Sequence, residues 1–156
     1  MSGLDLEKIK IHINERPYMS GVERDNLRVK ATGEVFTPTE LVNEILDKHD
    51  LMIFKDPLKK ILDHSCGDGQ FLGQVLIRKV ENGIDFEQAL STIYGVDIMQ
   101  DNVDLCRERL ICGQEHLRSI VEKNIVCADA LRYHYRFDGT DPYKTADDLQ
   151  FDRFFD

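Results

Sequence analysis

Apolar positions along the chain switch between two spacings, one suited to helices and one to short buried strands. Residues 4–14 (LDLEKIKIHIN) predict a short helix, and the polar stretch 15–30 shows no clear period. Thr37-Pro38-Thr39-Glu40 has the form of a capping box, with Thr37 as N-cap, Pro38 at the first helical position and Glu40 reaching back. Leu41, Val42, Ile45 and Leu46 then lay an apolar stripe along a helix ending near His49. Residues 60–63 (KILD) form a short buried strand that enters a loop, Ser65-Cys66-Gly67-Asp68-Gly69. A helix follows, with Phe71, Leu72, Val75, Leu76 and Val80 on its core side and Asn82-Gly83 stopping it. One or two helical turns are expected over 86–92, a second strand over 93–98, and a helix over 99–111 ended by Gly113. Further helix over 114–123 leads to a third strand over 124–129.

Strands alternating with helices imply an α/β fold with a parallel sheet of three to four strands and flanking helices. Residues 149–156 (LQFDRFFD) read as the start of the fourth strand or as part of an acidic tail. The expected organisation is an N-terminal helical extension (1–30), a ligand-binding domain (31–136) and the tail (137–156). Ligands of such sheets sit beyond the carboxyl ends of the strands. All three strands end on an aspartate, Asp63, Asp97 and Asp129, which packing does not explain.

Composition narrows the field. The 156 residues suit one domain, and 42% hydrophobic with 31% charged residues excludes wholesale disorder. No apolar run reaches the roughly 20 residues of a membrane span, and the N-terminus lacks the features of a signal peptide, so a cytoplasmic protein is expected. Cys66, Cys106, Cys112 and Cys127 form no C-x-x-C pair, so reduced thiols and no metal site are expected. A net charge of −9 argues against strong DNA binding by this chain alone.

The Gly67-x-Gly69 turn between strand and helix is a nucleotide-binding shape, and what fills it decides the ligand. A dinucleotide site wants a third glycine where Leu72 stands, and no Gly-Lys-Ser/Thr run of a P-loop exists. Asp68 inside the turn would repel a pyrophosphate. S-adenosylmethionine carries a nucleoside, a cation and an amino acid end without phosphate, and fits. Gly67 and Gly69 allow close backbone approach to its methionine moiety. Asp63 or Asp68 can accept from its ammonium, Asp97 from both ribose hydroxyls, and Asp129 from the adenine amino group. Ile98 would pack beside the adenine, and Phe36 offers an aromatic face to adenine or sulfonium. Each feature alone has an ordinary explanation as a tight turn, a helix cap or a loop start. Their order on successive element ends does not.

Two runs, Thr32-Gly33-Glu34-Val35-Phe36-Thr37-Pro38 and Asp63-His64-Ser65-Cys66-Gly67-Asp68-Gly69-Gln70-Phe71-Leu72, resemble the amino-adenine (N6) DNA methyltransferases of restriction–modification systems. Those enzymes read G-x-x-[FY]-T-P and D-P-[AS]-C-G-x-G-x-[FL]-L at the two places. Gly95-Val96-Asp97-Ile98 resembles their ribose-binding motif, and Ala128-Asp129-Ala130-Leu131 their adenine-binding motif. The resemblance covers about residues 28–131. It implies a partial Rossmann-like methyltransferase fold of strand order 3-2-1-4, and it adds Thr37, Ser65, Cys66, Phe71 and Ala130 to the cofactor-binding residues. His64 departs from the family's proline. The family's catalytic [DN]-P-P-[YF], which grips a flipped adenine, is absent, so no catalytic residue is assigned. Asp141-Pro142-Tyr143 reads as an ordinary turn. The implied function is adenine-N6 DNA methylation with a partner supplying the missing motif. The alternative is a non-catalytic cofactor-binding module, for instance a phage-like remnant that interacts with a restriction–modification system. A methyltransferase for small molecules or proteins fits the motifs less well. An uncovered edge on the first strand implies a protein partner or homo-oligomer, with DNA bound weakly or through that partner.

Overall fold

The computed structural model describes residues 4–15 and 37–154. Three parallel strands, β1 (Ile61–Asp63), β2 (Ile93–Asp97) and β3 (Ile125–Cys127), form a sheet in the order β1-β2-β3. Ile61 lies opposite Ile93, and Gly95 opposite Ile125, so β2 is paired on both sides. Around the sheet run α1 (Leu6–Asn14), α2 (Thr39–Leu46), α3 (Met52–Lys55), α4 (Gln70–Glu81), α5 (Phe86–Ser91), α6 (Gln100–Ile111), α7 (Arg118–Asn124) and α8 (Ala146–Asp152).

The strands are two-faced, with alternate residues facing opposite sides of the pleat. Ile61, Ile93, Ile125 and Cys127 join the main apolar core, together with Leu72, Val75 and Leu76 of α4 and Val103, Cys106 and Leu110 of α6. Val96 and Val126 belong instead to a smaller cluster, closed by Ala128, Tyr133 and Phe137 from the chain after β3. One face therefore carries the helices. The other is covered by a loop segment.

Glycine allows the closest approaches in the main core. A Cβ on Gly95 would lie 2.8 Å from Leu72 Cδ1, and one on Gly73 would lie 2.8 Å from Ile13 Cγ2. That second contact seats α1 on α4, and Ile9 and Ile13 are buried in the same core as the sheet. At the other end of α4, the buried Lys79 donates to Lys59 O at 2.7 Å and to Thr92 Oγ1 at 2.9 Å, tying together the entries to β1 and β2. Burial lowers its pKa from the usual 10.5.

Two expectations need correction. The helix after Thr37 begins at Thr39 with Pro38 as its N-cap and no side-chain cap, so Thr37 forms no capping box. The anticipated fourth strand is also missing among the described residues, because α8 occupies Ala146–Asp152. Its cause is local. Thr145 Oγ1 accepts the Asp148 N–H at 3.1 Å while Asp148 Oδ2 accepts the Thr145 N–H at 2.8 Å, a reciprocal cap that starts a helix. Asp147 and Asp148 in the first turn add a favourable interaction with its dipole.

Candidate functional site

At the carboxyl end of β1 the Asp63 carboxylate accepts the Ser65 N–H at 3.0 Å and turns the chain. Cys66 N–H then reaches Val96 O at 2.9 Å, so the loop stays attached to β2 beyond the last paired strand residue. Gly67 and Gly69 follow with φ of 53° and 93°, the left-handed region that glycine occupies at least cost. Gly69 also lies against α6, since a Cβ there would sit 3.1 Å from Cys106 Sγ. α4 begins at once, with the Gly73 N–H bonded to Gly69 O at 2.8 Å.

Asp97, at the tip of β2, holds this bend in place. Its Oδ2 accepts the Gly67 N–H at 3.0 Å, and its Oδ1 accepts the Met99 N–H at 2.9 Å and Asn102 Nδ2 at 3.3 Å. The backbone oxygen of Asp97 accepts the Ala128 N–H at 2.9 Å, which carries the register on to β3. One residue thus joins all three strand ends. Ile98 beside it is 59% exposed, an apolar side chain open to solvent at the carboxyl end of the sheet. At the tip of β3, Asp129 Oδ1 accepts the Leu131 N–H at 2.9 Å in a local turn. Its Oδ2 has no hydrogen-bond partner among the described residues.

The three acids differ in setting. Burial raises the pKa of Asp63, and the nearby negative charge of Asp97 raises it further, against the lowering effects of the Ser65 N–H and His64. Asp63 and Phe71 line a cavity of about 310 Å³ along β1, closed by Leu46, His49, Ile53 and Leu62 among others. Asp97 and Asp129 instead mark the β2–β3 side. The glycine bend connects the two in sequence, running from the cavity-lining Asp63 and His64 to the Asp97 carboxylate that holds Gly67.

Asp68, one of two carboxylates considered for an ammonium, is excluded from that role. It is 2% exposed and points inward to Arg109 Nη2 at 3.3 Å, which leaves Asp63 as the candidate. The Cys66 thiol also turns inward, where a hydrogen bond with Cys106 and then burial push its pKa well up. Only its backbone faces the loop. Ser65 is exposed, Ala130 is half-buried after Asp129, and Thr37 O accepts Gln70 Nε2 at 3.1 Å, which brings its segment to the start of α4. Phe36 lies outside the described residues.

Sequence reasoning missed Arg109, Gln70 and Tyr143. Arg109 is buried on α6 and donates to both Gln70 and Asp68, bracing the bend from behind. The signal was present, because Arg109 falls on the same helical face as Val103, Cys106 and Leu110. Tyr143 accepts the Asp129 N–H at 2.8 Å, a long-range contact with no periodic signature.

Taken together, the strand tips offer carboxylates and a glycine backbone without a cluster of cations, an arrangement suited to a ligand with hydroxyl and amino donors. On the β2–β3 side, Asp129 Oδ2 has no hydrogen-bond partner among the described residues and Ile98 is exposed. Residues 25–141 match the sequence model of the family described as N-6 DNA Methylase, a span that includes the glycine bend and the tips of all three strands. The chain belongs to the N-6 DNA methylase family.

Proposed function

We propose that this chain binds S-adenosylmethionine and forms the donor half of an adenine-N6 DNA methyltransferase with a Rossmann-like fold. The observation that carries the reading is the Asp97 carboxylate, which ties the left-handed glycine bend to the tip of β2 with Asp129 one strand away. Gly67 and Gly69 would admit the methionine backbone, and Asp63 would accept from its ammonium. Asp97 would use its one remaining lone pair, on Oδ2, for a ribose hydroxyl, Asp129 would take the adenine amino group, and Ile98 would cover the ring. Phe36, Thr37, Ser65, Cys66, Phe71 and Ala130 complete the proposed binding set. When bound, the cofactor supplies an electrophilic methyl group on its sulfonium. The residues of this chain hold that donor in one orientation, which is where most of the rate of such a transfer originates.

The [DN]-P-P-[YF] run that the family resemblance calls for to grip the target amino nitrogen does not occur in these 156 residues. Further sequence or a partner that also covers β1 would supply that group and most of the DNA contacts. The net charge of −9 agrees with that division. The sequence resemblance supports a restriction–modification setting. The absent tetrapeptide also supports a second reading, a cofactor-binding module without catalysis. Calorimetric titration with S-adenosylmethionine, followed by a methylation assay on adenine-containing DNA with and without candidate partners, tests both. Saturable binding at one site is expected. A flat titration defeats the proposal, and binding with no methylation under any pairing favours the second reading.

A further inference from the structure

The turn at Asp141, Pro142 and Tyr143 is folded back onto the chain that leaves β3. Asp141 Oδ1 accepts the Tyr143 N–H at 2.9 Å, His134 N–H donates to Pro142 O at 3.2 Å, and Arg136 Nη2 donates to Asp141 O at 2.7 Å. Held this way, Tyr143 reaches the tip of β3. Its Oη accepts the Asp129 N–H at 2.8 Å, and the Arg132 guanidinium lies 4.6 Å from the centre of its ring. Tyr143 is nonetheless 41% exposed, so it fills no core position.

Asp129 presents two complementary groups on one residue, an N–H donor and a carboxylate oxygen with no partner among the described residues. The Watson–Crick edge of adenine presents the reverse, a ring nitrogen acceptor beside an amino donor. The Tyr143 oxygen holds the donor half of that pair. We infer that Tyr143 is a gate of the base pocket, competing with the adenine ring nitrogen for the Asp129 N–H and released when the cofactor binds. This rests on the proposed function, which assigns Asp129 to the adenine. The tethers through His134 and Arg136 engage backbone oxygens of Asp141 and Pro142, so Tyr143 can swing out while the turn stays anchored.

Calorimetry on the wild-type chain and Tyr143→Phe, with S-adenosylhomocysteine and with its 1-deazaadenine analogue, tests the gate. The variant keeps the ring and removes only the competing oxygen. It should bind S-adenosylhomocysteine about 3- to 10-fold tighter, the factor carried by one neutral hydrogen bond. The gain should vanish with the 1-deaza analogue, whose ring offers a C–H in place of the acceptor. Equal or weaker binding by the variant, beside clear binding by wild type, overturns the gate and leaves the proposed function standing. No binding by either protein removes both. Tyrosine nitration of the wild-type chain, mapped by mass spectrometry, gives a readout that needs no variant. Ligand should increase modification of Tyr143, and ligand-induced protection overturns the inference.

Discussion

Replacing Asp97 by alanine should loosen the fold and weaken the proposed site together, because the carboxylate that clamps the bend is also the one proposed to hold the ribose. Three donors lose their acceptor in Asp97→Ala: the Gly67 N–H, the Met99 N–H and Asn102 Nδ2. A hydrogen bond to a charged group contributes about 1.5–3 kcal/mol. The β2 tip is half-buried, so water replaces part of each bond, and about 1 kcal/mol per bond is the better figure, for a total near 3 kcal/mol. With a urea m-value of about 2 kcal/mol/M, the unfolding midpoint should fall by about 1.5 M. Asp97→Asn keeps one acceptor oxygen but turns an NH₂ toward at least one of the former donors, and should fall in between. Urea denaturation followed by circular dichroism gives both midpoints. Calorimetry in buffer, where all three proteins are folded, should show S-adenosylmethionine affinity falling in the same order, by about tenfold for the asparagine. An alanine variant whose midpoint matches wild type within error would refute the claim that Asp97 clamps the bend. Unchanged affinity alone would remove Asp97 from the binding site and leave its structural role.

Two further perturbations probe the scaffold behind the site. In Gly95→Ala the new Cβ would meet Leu72 Cδ1 at 2.8 Å and Cys66 Cβ and Sγ at 3.0 Å, so overpacking should cost about 1–3 kcal/mol. Thermal unfolding checks this, and an unchanged Tm would mean that β2 and α4 have room to part. Lys79 tests the pH dependence. Its folded pKa lies below the 10.5 it recovers on unfolding, so between the two values the unfolded chain binds more protons and stability rises with pH. Urea midpoints of wild type should climb relative to Lys79→Met as pH approaches 10.5, and a relative decline would show that the ammonium is stabilised where it sits.

The elements around the site were legible in the sequence because they depend on local periodicity. Leu72, Val75 and Leu76 mark the core face of α4, and the three strand tips fall within two residues of their expected ends. The parallel order of those strands followed from their alternation with helices. What escaped were effects of competition. Residues 149–156 read as the start of a fourth strand, but the reciprocal cap of Thr145 and Asp148 starts a helix first. Thr37 precedes a proline and has the right chemistry for a cap, yet its carbonyl is drawn to Gln70 and the helix opens later. Asp68 reads as a ligand acid only while its direction is unknown, and the Arg109 that turns it inward lies 41 residues away. Tyr135 and Phe137 adopt φ of 54° and 51°, which side chains of their kind rarely do. No local preference predicts that geometry. It is held by the Tyr133 hydroxyl, which accepts the Phe137 N–H, and by ring packing against Tyr94.

The asymmetry between the two sides of the glycine bend bears on where a methyl acceptor would enter. On the β2–β3 side, Asp129 and Ile98 are the residues proposed to meet a base, with Tyr143 held against the Asp129 N–H. If the adenosine lies there, the amino acid and sulfonium end must extend across Gly67 toward Asp63 and β1. On that side the structure has the 310 Å³ cavity, with Phe71, Leu46 and Ile53 in its wall, and Leu62 at 46% exposure on the strand itself. β1 also has no second neighbour among the described residues, so its outer backbone groups lack the strand partner that β2 enjoys on both sides. An apolar groove beside an unpaired parallel strand favours an incoming strand over a loose surface contact, because pairing and burial are then satisfied together. A group delivered by such a strand would end beside Asp63, at the carboxyl edge of β1 where the proposed cofactor would place its amino acid end.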